Sequence, residues 1–359
     1  ARQRAAMVWK WMAEAPYMEF GGEICDTTAM VQMWPHQRRV VSETAGAWPE
    51  GRLLCDEVGM GKTLEAILVL RRLLAGRGVR RGLILVPAGL TRQWQAELRE
   101  KGGIIVPRLE GEDLVWPNGS EDKKVGLAKA LEKPLLLMSR ETARTATNLQ
   151  TIRSAKPWDI IVLDEAHAAR RSSSGEGDFN SANLLLGMLR DLQVSGQAKS
   201  LLLLSATPMQ TMPWEPWDML QVLGEGGPWI ADFDDVRAFY DAVVLTEAGE
   251  ITQVQAERCA HLVAADPDFP EHPDHPEWKK PSALADAMQF GDQATRGEIA
   301  KWLRRGSPLS RRLHRNTRTT LRAYHQMGLL DRAPARRKVI DGQWDFQDQR
   351  ERDVYRAVE

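Results

Sequence analysis

The feature that most constrains this chain is a series of short runs with almost no polar residue: Leu53–Cys55, Leu83–Val86, Ile104–Val106, Leu135–Met138, Ile160–Leu163 and Leu201–Leu204. Each is bounded by charge, Gly or Pro. A strand with one wet face alternates apolar and polar residues, so a run that is apolar throughout needs cover on both faces, as in a parallel sheet. Helix-length stretches such as 63–74 and 91–100 separate the runs. Strand–helix–strand alternation predicts an α/β fold, a doubly wound parallel sheet. No run approaches the ~18 apolar residues of a membrane span, so no membrane contact is expected. Nor does the basic start, Ala1-Arg2-Gln3-Arg4, run into the apolar stretch of a secretory leader.

Four segments follow from the text. Residues 1–33 predict a helical lead-in, 34–230 the sheet-bearing lobe, 231–310 an acidic, Pro-rich and partly helical insertion, and 311–359 a basic connector. Within the insertion, Asp266–Pro281 carries five prolines, a density that forbids regular elements and predicts a loop or partly disordered insert. His272 and His275 sit three apart there, but no third metal ligand stands at useful spacing. Cys25, Cys55 and Cys259 are far apart and fit neither a disulfide framework nor a metal site, which points to a reducing compartment, the cytoplasm.

Charge sums to −1, with 48 basic against 49 acidic residues, yet it is unevenly placed. From Glu215 to Glu277 there are 15 acids and 2 bases; from Arg311 to Lys338 there are 9 bases and 1 acid. Arg311, Arg315, Arg318 and Arg322 recur at three- and four-residue steps, which predicts one stripe along a helix. Like charges so placed repel one another, and an anionic partner is a reason to keep them. A solvated face is the plainer explanation of the acidic block.

The strongest local motif is Asp56-Glu57-Val58-Gly59-Met60-Gly61-Lys62-Thr63, which follows the run Leu53–Cys55 and opens an apolar helix. Strand, glycine-bearing turn, Lys-Thr and helix make the context of a phosphate-binding loop, in which backbone N–H groups and a helix N-terminus meet phosphate oxygens. Lys62 then reaches the β/γ-phosphates and Thr63 binds Mg²⁺. Asp56 stands where the strict motif has glycine. A second signal, Asp164-Glu165-Ala166-His167, ends the run Ile160–Leu163, at the strand end where open α/β sheets hold ligands. Asp164 suits the Mg²⁺ shell and Glu165 can polarise an attacking water. A third, Ser205-Ala206-Thr207-Pro208, ends the run Leu201–Leu204.

DEVGMGKT, DEAH and SATP, in this order and spacing, resemble motifs I, II and III of superfamily-two helicases, and D-E-x-G-x-G-K-T is the form of the Swi/Snf-type ATPases. Pro35-His36-Gln37 is similar to the family's Pro-Tyr-Gln. Pro87, Leu90, Gln93, Trp94, Glu97 and Leu98 follow its motif Ia; Ser139-Arg140-Glu141-Thr142 sits at motif Ib. Thr211 departs from the family's x-Gln-Asn after motif III. The basic stretch around His314-Arg315-Asn316-Thr317-Arg318 resembles the connector of bacterial members, among them the RNA-polymerase-associated ATPase and the helicase-like subunit of the DISARM antiphage system.

The resemblance implies a RecA-like ATP-binding lobe of a DNA-dependent translocase acting on double-stranded DNA without sequence choice. ATP and Mg²⁺ are its cofactors; a second RecA-like lobe, with possible further proteins, is its partner. It places Lys62, Asp164, Glu165 and His167 in catalysis, with Thr63 and Asp164 on the metal. Gln37 reads adenine beside the loop 56–63, and Ser205, Ala206, Thr207 and Gln210 couple the lobes. Arg92, Gln93, Arg140, Thr142, Arg315 and Arg318 meet nucleic acid. Trp94 belongs to the core, with Leu90 and Leu98 at four-residue steps, rather than to a base stack. Trp214 and Trp217, with Leu220 and Leu223, make the packed face of the helix after motif III. No second-lobe motif or arginine finger is found, so slow ATP hydrolysis is expected of this chain alone. A phosphotransferase and a regulatory ATP switch are the alternatives; the first does not need all three motifs together, and intact Lys62, Asp164 and Glu165 argue against the second.

Overall fold

A computed structural model of the protein describes residues 3–7, 21–76, 78–171, 182–206 and 215–330. The chain divides into two units, 1–317 and 318–359. In the first, α1 (Gly21–Thr27) and α2 (Pro35–Gly46) precede β1 (Arg52–Leu54), then α3 (Lys62–Ala75), β2 (Gly82–Val86) and α4 (Thr91–Gly102). Next come β3 (Arg108–Glu110), β4 (Asp113–Val115), β5 (Glu121–Asp122), α5 (Gly126–Ala130) and β6 (Leu135–Ser139). Then follow α6 (Arg140–Ala143), α7 (Ala146–Arg153), β7 (Ile160–Leu163), α8 (Leu184–Val194) and β8 (Leu201–Leu204). Helices α9 (Glu215–Val222), α10 (Pro228–Ala231), α11 (Phe233–Ala248), α12 (Gln253–Ala265), α13 (Pro281–Phe290), α14 (Gln293–Gly306) and α15 (Pro308–Arg312) lead to β9 (Leu313–His314). The second unit contributes α16 (Arg318–Gln326).

The nine strands form one sheet in the order β5-β4-β3-β6-β2-β7-β8-β1-β9. From β3 to β9 neighbours run parallel; β4 and β5 extend the edge antiparallel. Successive residues of the apolar runs serve opposite faces. Leu53, Leu83, Leu85, Ile161, Leu163, Leu201 and Leu203 enter one core, and Leu54, Ile84, Val86, Ile160, Val162, Leu202 and Leu204 the other. Helices α2, α3 and α4 cover the second face; α7, α8 and the helices from α9 to α15 contribute to the core on the first. This double cover is why these strands carry no polar residue.

The structure corrects several expectations. Ile104–Val106 is not a strand: Pro107 follows it and has no N–H for the ladder, so pairing begins at Arg108 opposite Leu137. The four arginines do not share a helix. Arg311 lies in the last turn of α15, residues 313–314 pair with Leu53 and Leu54 as β9, and Arg315 lies in the loop beyond. Arg311 instead binds Asp266 (2.6 Å) and Arg312 binds Glu225 (2.8 Å), so the basic block partly neutralises the acidic one. Because β9 belongs to the sheet, the segment from 311 starts inside the lobe.

The Pro-rich stretch is a loop apart from one 3₁₀ turn (Pro276–Lys279), and it is packed, with Phe269, Trp278 and His272 buried. A third possible ligand does approach His272: the Glu298 carboxylate oxygen Oε1 lies 3.5 Å from Nε2. His272 Nδ1, however, accepts the backbone N–H groups of Asp274 and His275, so this imidazole closes the loop. Of the lead-in, only 3–7 and 21–33 fall within the described residues, and both stretches contain helix. All three cysteines are free and buried; burial pushes Cys55 and Cys259 up to about 12.

Candidate nucleotide-binding site

The loop between β1 and α3 needs two left-handed glycines, Gly59 (φ 87°) and Gly61 (φ 98°). At Gly61 a Cβ would also lie 2.4 Å from Gln37 Nε2. Gly61 precedes the first turn of α3 without a side-chain cap, leaving that helix N-terminus open toward the loop. Lys62 Nζ donates to the Asp56 carbonyl at 2.6 Å, and Thr63 is half-buried in the first turn of α3. Glu57 is half-buried, Val58 and Gly59 are exposed, and Met60 is buried. Gln37 lies beneath the loop with both amide ends engaged. Nε2 donates to the Met60 carbonyl (3.0 Å), and Oε1 accepts from Trp34 N (2.9 Å). In this structure Gln37 braces the loop instead of presenting a free amide to adenine.

Asp56 is fully buried beside His36 and Glu65, each carboxylate 3.8 Å from His36 Nε2. Burial foremost, then the Asp56 charge, pushes Glu65 up to about 9.

Across the sheet, Asp164 follows β7. Its Oδ2 accepts from Trp94 Nε1 at 2.8 Å, and Oδ1 from the Glu165 backbone N–H at 2.9 Å. Burial holds the Asp164 carboxyl above the usual carboxylate range, while these donors and the Lys62 charge oppose the shift. Glu165 occupies the left-handed region (φ 53°, ψ 54°), a strained conformation for this residue of the kind concentrated at functional sites. Its half-buried carboxylate lies 3.1 Å from His167 Nδ1, and Arg140 Nη1 donates to its carbonyl at 2.8 Å.

Strand β8 separates β1 from β7. At the spacing of neighbouring strands the Lys62 loop and the Asp164 segment start roughly 10 Å apart, with buried Ser205 and half-buried Ala206 between them. Thr207, Pro208, Met209, Gln210 and Thr211 lie outside the described residues, as does Trp214. The donor set fits a hard divalent cation: a hydroxyl at Thr63 and, at Asp164, a desolvated carboxylate that a nearby cation would relieve of its burial cost.

The nucleic-acid candidates are dispersed. Arg92 pairs with Glu110 (2.7 Å) and Gln93 donates to Glu97 (2.9 Å), both exposed on α4. Arg140 is half-buried against Glu141 and the Glu165 carbonyl, and thus supports the Asp-Glu segment. The Thr142 N–H and hydroxyl are bound by Ser139, which caps α6. Arg315 is exposed, and Arg318 opens α16 in the second unit.

Sequence reading missed three contacts. Trp94 is buried as expected, yet its indole N–H reaches Asp164; a tryptophan at helical core spacing carries no sign of that aim. Asn316 lies 260 positions from the Asp56 carboxylate it binds, beyond any local pattern. Arg171, just past the Asp-Glu segment, pairs bidentately with Asp218 on α9, both buried (2.8 Å each).

The β1 loop, the α3 N-terminus and the β7 carboxylates define an α/β lobe of the phosphate-loop kind. The chain belongs to the SNF2-related family, whose model, described as SNF2-related domain, matches residues 7–243. An uncharacterized ATP-dependent helicase of Bacillus subtilis, YqhH, is 30% identical over 193 residues, covering 54% of this chain and 29% of that protein. RNA polymerase-associated protein RapA of Pseudomonas syringae is 28% identical over 310 residues, covering 82% of this chain and 29% of that protein. The chain thus spans under a third of these relatives. Among solved structures, the Sulfolobus solfataricus SWI2/SNF2 ATPase core in complex with dsDNA superposes with a TM-score of 0.46 at 14% identity, covering 85% of this chain and 47% of that one. Among the described residues no helix is long and apolar enough to cross a membrane.

Proposed function

We propose that this chain is the ATP-binding lobe of a DNA-dependent ATPase that tracks along double-stranded DNA without sequence choice. The observation that carries the reading is the placement of the Lys62 loop and the Asp164–Glu165 pair on strands that flank β8, so that both segments leave the same end of the parallel sheet roughly 10 Å apart. Lys62 turns from the Asp56 carbonyl to the β/γ-phosphates, while loop N–H groups and the α3 N-terminus take the remaining phosphate oxygens. Thr63 and Asp164 hold Mg²⁺, which neutralises phosphate charge. Glu165, kept in place by Arg140 at its carbonyl and by His167 at its carboxylate, accepts the proton of the attacking water.

A second lobe supplies the arginine that completes hydrolysis, so this chain alone binds Mg·ATP and turns it over slowly. Contacts to DNA are to phosphates, hence positional and salt-sensitive. The relatives named as RNA polymerase-associated support a transcription-linked protein partner, and the three free buried thiols suit a reducing cytoplasm.

The test is Mg-dependent ATP binding by this chain, then ATP turnover of the complete protein with and without duplex DNA, beside Lys62→Ala and Glu165→Gln. Lys62→Ala should lose nucleotide affinity. Glu165→Gln should bind ATP and lose about 10²–10⁴-fold in turnover. DNA-stimulated hydrolysis that survives in Glu165→Gln overturns the base assignment, and absence of Mg-dependent ATP binding overturns the whole reading.

A further inference from the structure

One segment far along the chain is zipped onto the loop before Lys62. Leu313 and His314 pair with Leu53 and Leu54, and the His314 carbonyl accepts from Cys55 N at 2.7 Å. Asn316 then reaches the loop on three sides. Its backbone N–H donates to Asp56 Oδ1 (2.7 Å), its amide Nδ2 to both Asp56 oxygens (3.0 Å each), and its carbonyl accepts from Glu57 N (3.1 Å). Its Oδ1 accepts from Arg39 on α2, two residues past Gln37, at 3.3 Å. Asn316 is 2% exposed and Asp56 is fully buried, so these bonds are made out of water, where losing one partner is costly.

Asp56 occupies the position where a strict phosphate loop has glycine, and a buried carboxylate there needs donors that glycine would not. We infer that Asn316 is a positioning residue of the nucleotide site: it holds the 56–57 end of the loop, and through it ATP occupancy is coupled to the segment 313–317 that leads out to the second unit. The coupling is reciprocal. Whatever displaces that segment loosens the loop, and a ligand that fixes the loop fixes the segment. This inference rests on the proposed binding of ATP at the loop.

The experiment compares the 359-residue chain with Asn316→Ala and with the exchanged pair Asp56→Asn/Asn316→Asp, which restores an amide facing a carboxylate. Titration with a fluorescent ATP analogue in Mg²⁺ should show Asn316→Ala about tenfold weaker and the exchanged pair recovering most of that loss. Amide hydrogen exchange in the unaltered chain should slow by about tenfold or more at Cys55, Glu57 and Asn316 when Mg·ATPγS is added. Without nucleotide, Asn316→Ala should speed exchange at Glu57 while α8 and β7 keep their protection, which separates a loosened loop from a loosened fold. Wild-type affinity in Asn316→Ala, or exchange at Asn316 indifferent to bound nucleotide, overturns the inference. An unaltered chain that binds no nucleotide overturns the ATP reading instead, and unchanged Glu57 exchange in Asn316→Ala would then remove Asn316's hold on the loop as well.

Discussion

Trp94 shows how one side chain can serve packing and chemistry together. Its ring sits in the core between α4 and the sheet, and its N–H fixes the rotamer of the carboxylate proposed to bind Mg²⁺. Outer donors of this kind are typically worth about 10–100-fold in metal affinity. Trp94→Phe should therefore raise the Mg²⁺ concentration needed for half-maximal ATP binding by about tenfold, beyond the ~1–3 kcal/mol of lost packing seen by denaturant unfolding. An unchanged Mg²⁺ requirement would reduce Trp94 to a core residue. Glu65 makes a prediction in pH. The unfolded chain loses this proton in the ordinary carboxyl range and the folded chain near 9. Between those values the folded state holds the extra proton, so Glu65 makes stability fall as pH rises. Glu65→Gln keeps the shape and does not titrate. Its melting temperature relative to the unaltered chain should climb by roughly 2–4 °C between about pH 5 and about pH 8.5.

At the scale of elements, the strand ends do the assembling. Helix α3 is buried on most of its circumference, from Ala66 to Leu70, because α1, α2 and α4 pack around it on one face of the sheet. Its N-terminus is thereby held rigid beside the loop. The segment after β7 is anchored differently, by the buried pair Arg171–Asp218, which ties it to α9 and lies beneath Trp217. Removing one partner leaves a buried charge uncompensated, so Arg171→Ala should cost about 3–5 kcal/mol in denaturant unfolding. Replacing both partners, as Arg171→Met/Asp218→Leu, should cost far less. A small loss in Arg171→Ala would mean that water reaches Asp218.

For the whole molecule, the proposed DNA contacts cannot form a single arginine stripe, because β9 interrupts it and Arg311 and Arg312 are bound to acids. Arg315 is exposed in the loop beyond β9, and Arg318, half-buried, opens α16. Reversing both to Glu should weaken duplex binding for every sequence and flatten the log–log salt dependence by about one unit per lost phosphate contact. Unchanged binding would remove both arginines from the DNA contacts.

The amino-acid sequence alone determined the architecture and the address proposed for the site, because both depend on patterns a few residues long. Apolar runs such as Ile160–Leu163 announce strands covered on two faces, and the glycines before Lys62 announce a turn only they can make. Where charge interrupts the pattern, as in β3 to β5, the strands are not legible, and Ile104–Val106, apolar but followed by proline, reads as a strand without being one. Tertiary structure alone decided which partners the site residues hold: Trp94 on Asp164, Asn316 on Asp56, Arg140 on the Glu165 carbonyl, and Gln37 under Met60. Those pairs are 70, 260, 25 and 23 positions apart. A hydrogen bond depends on where two chain segments meet in space, and the order of strands in a sheet, which brings them together, leaves no mark on local periodicity.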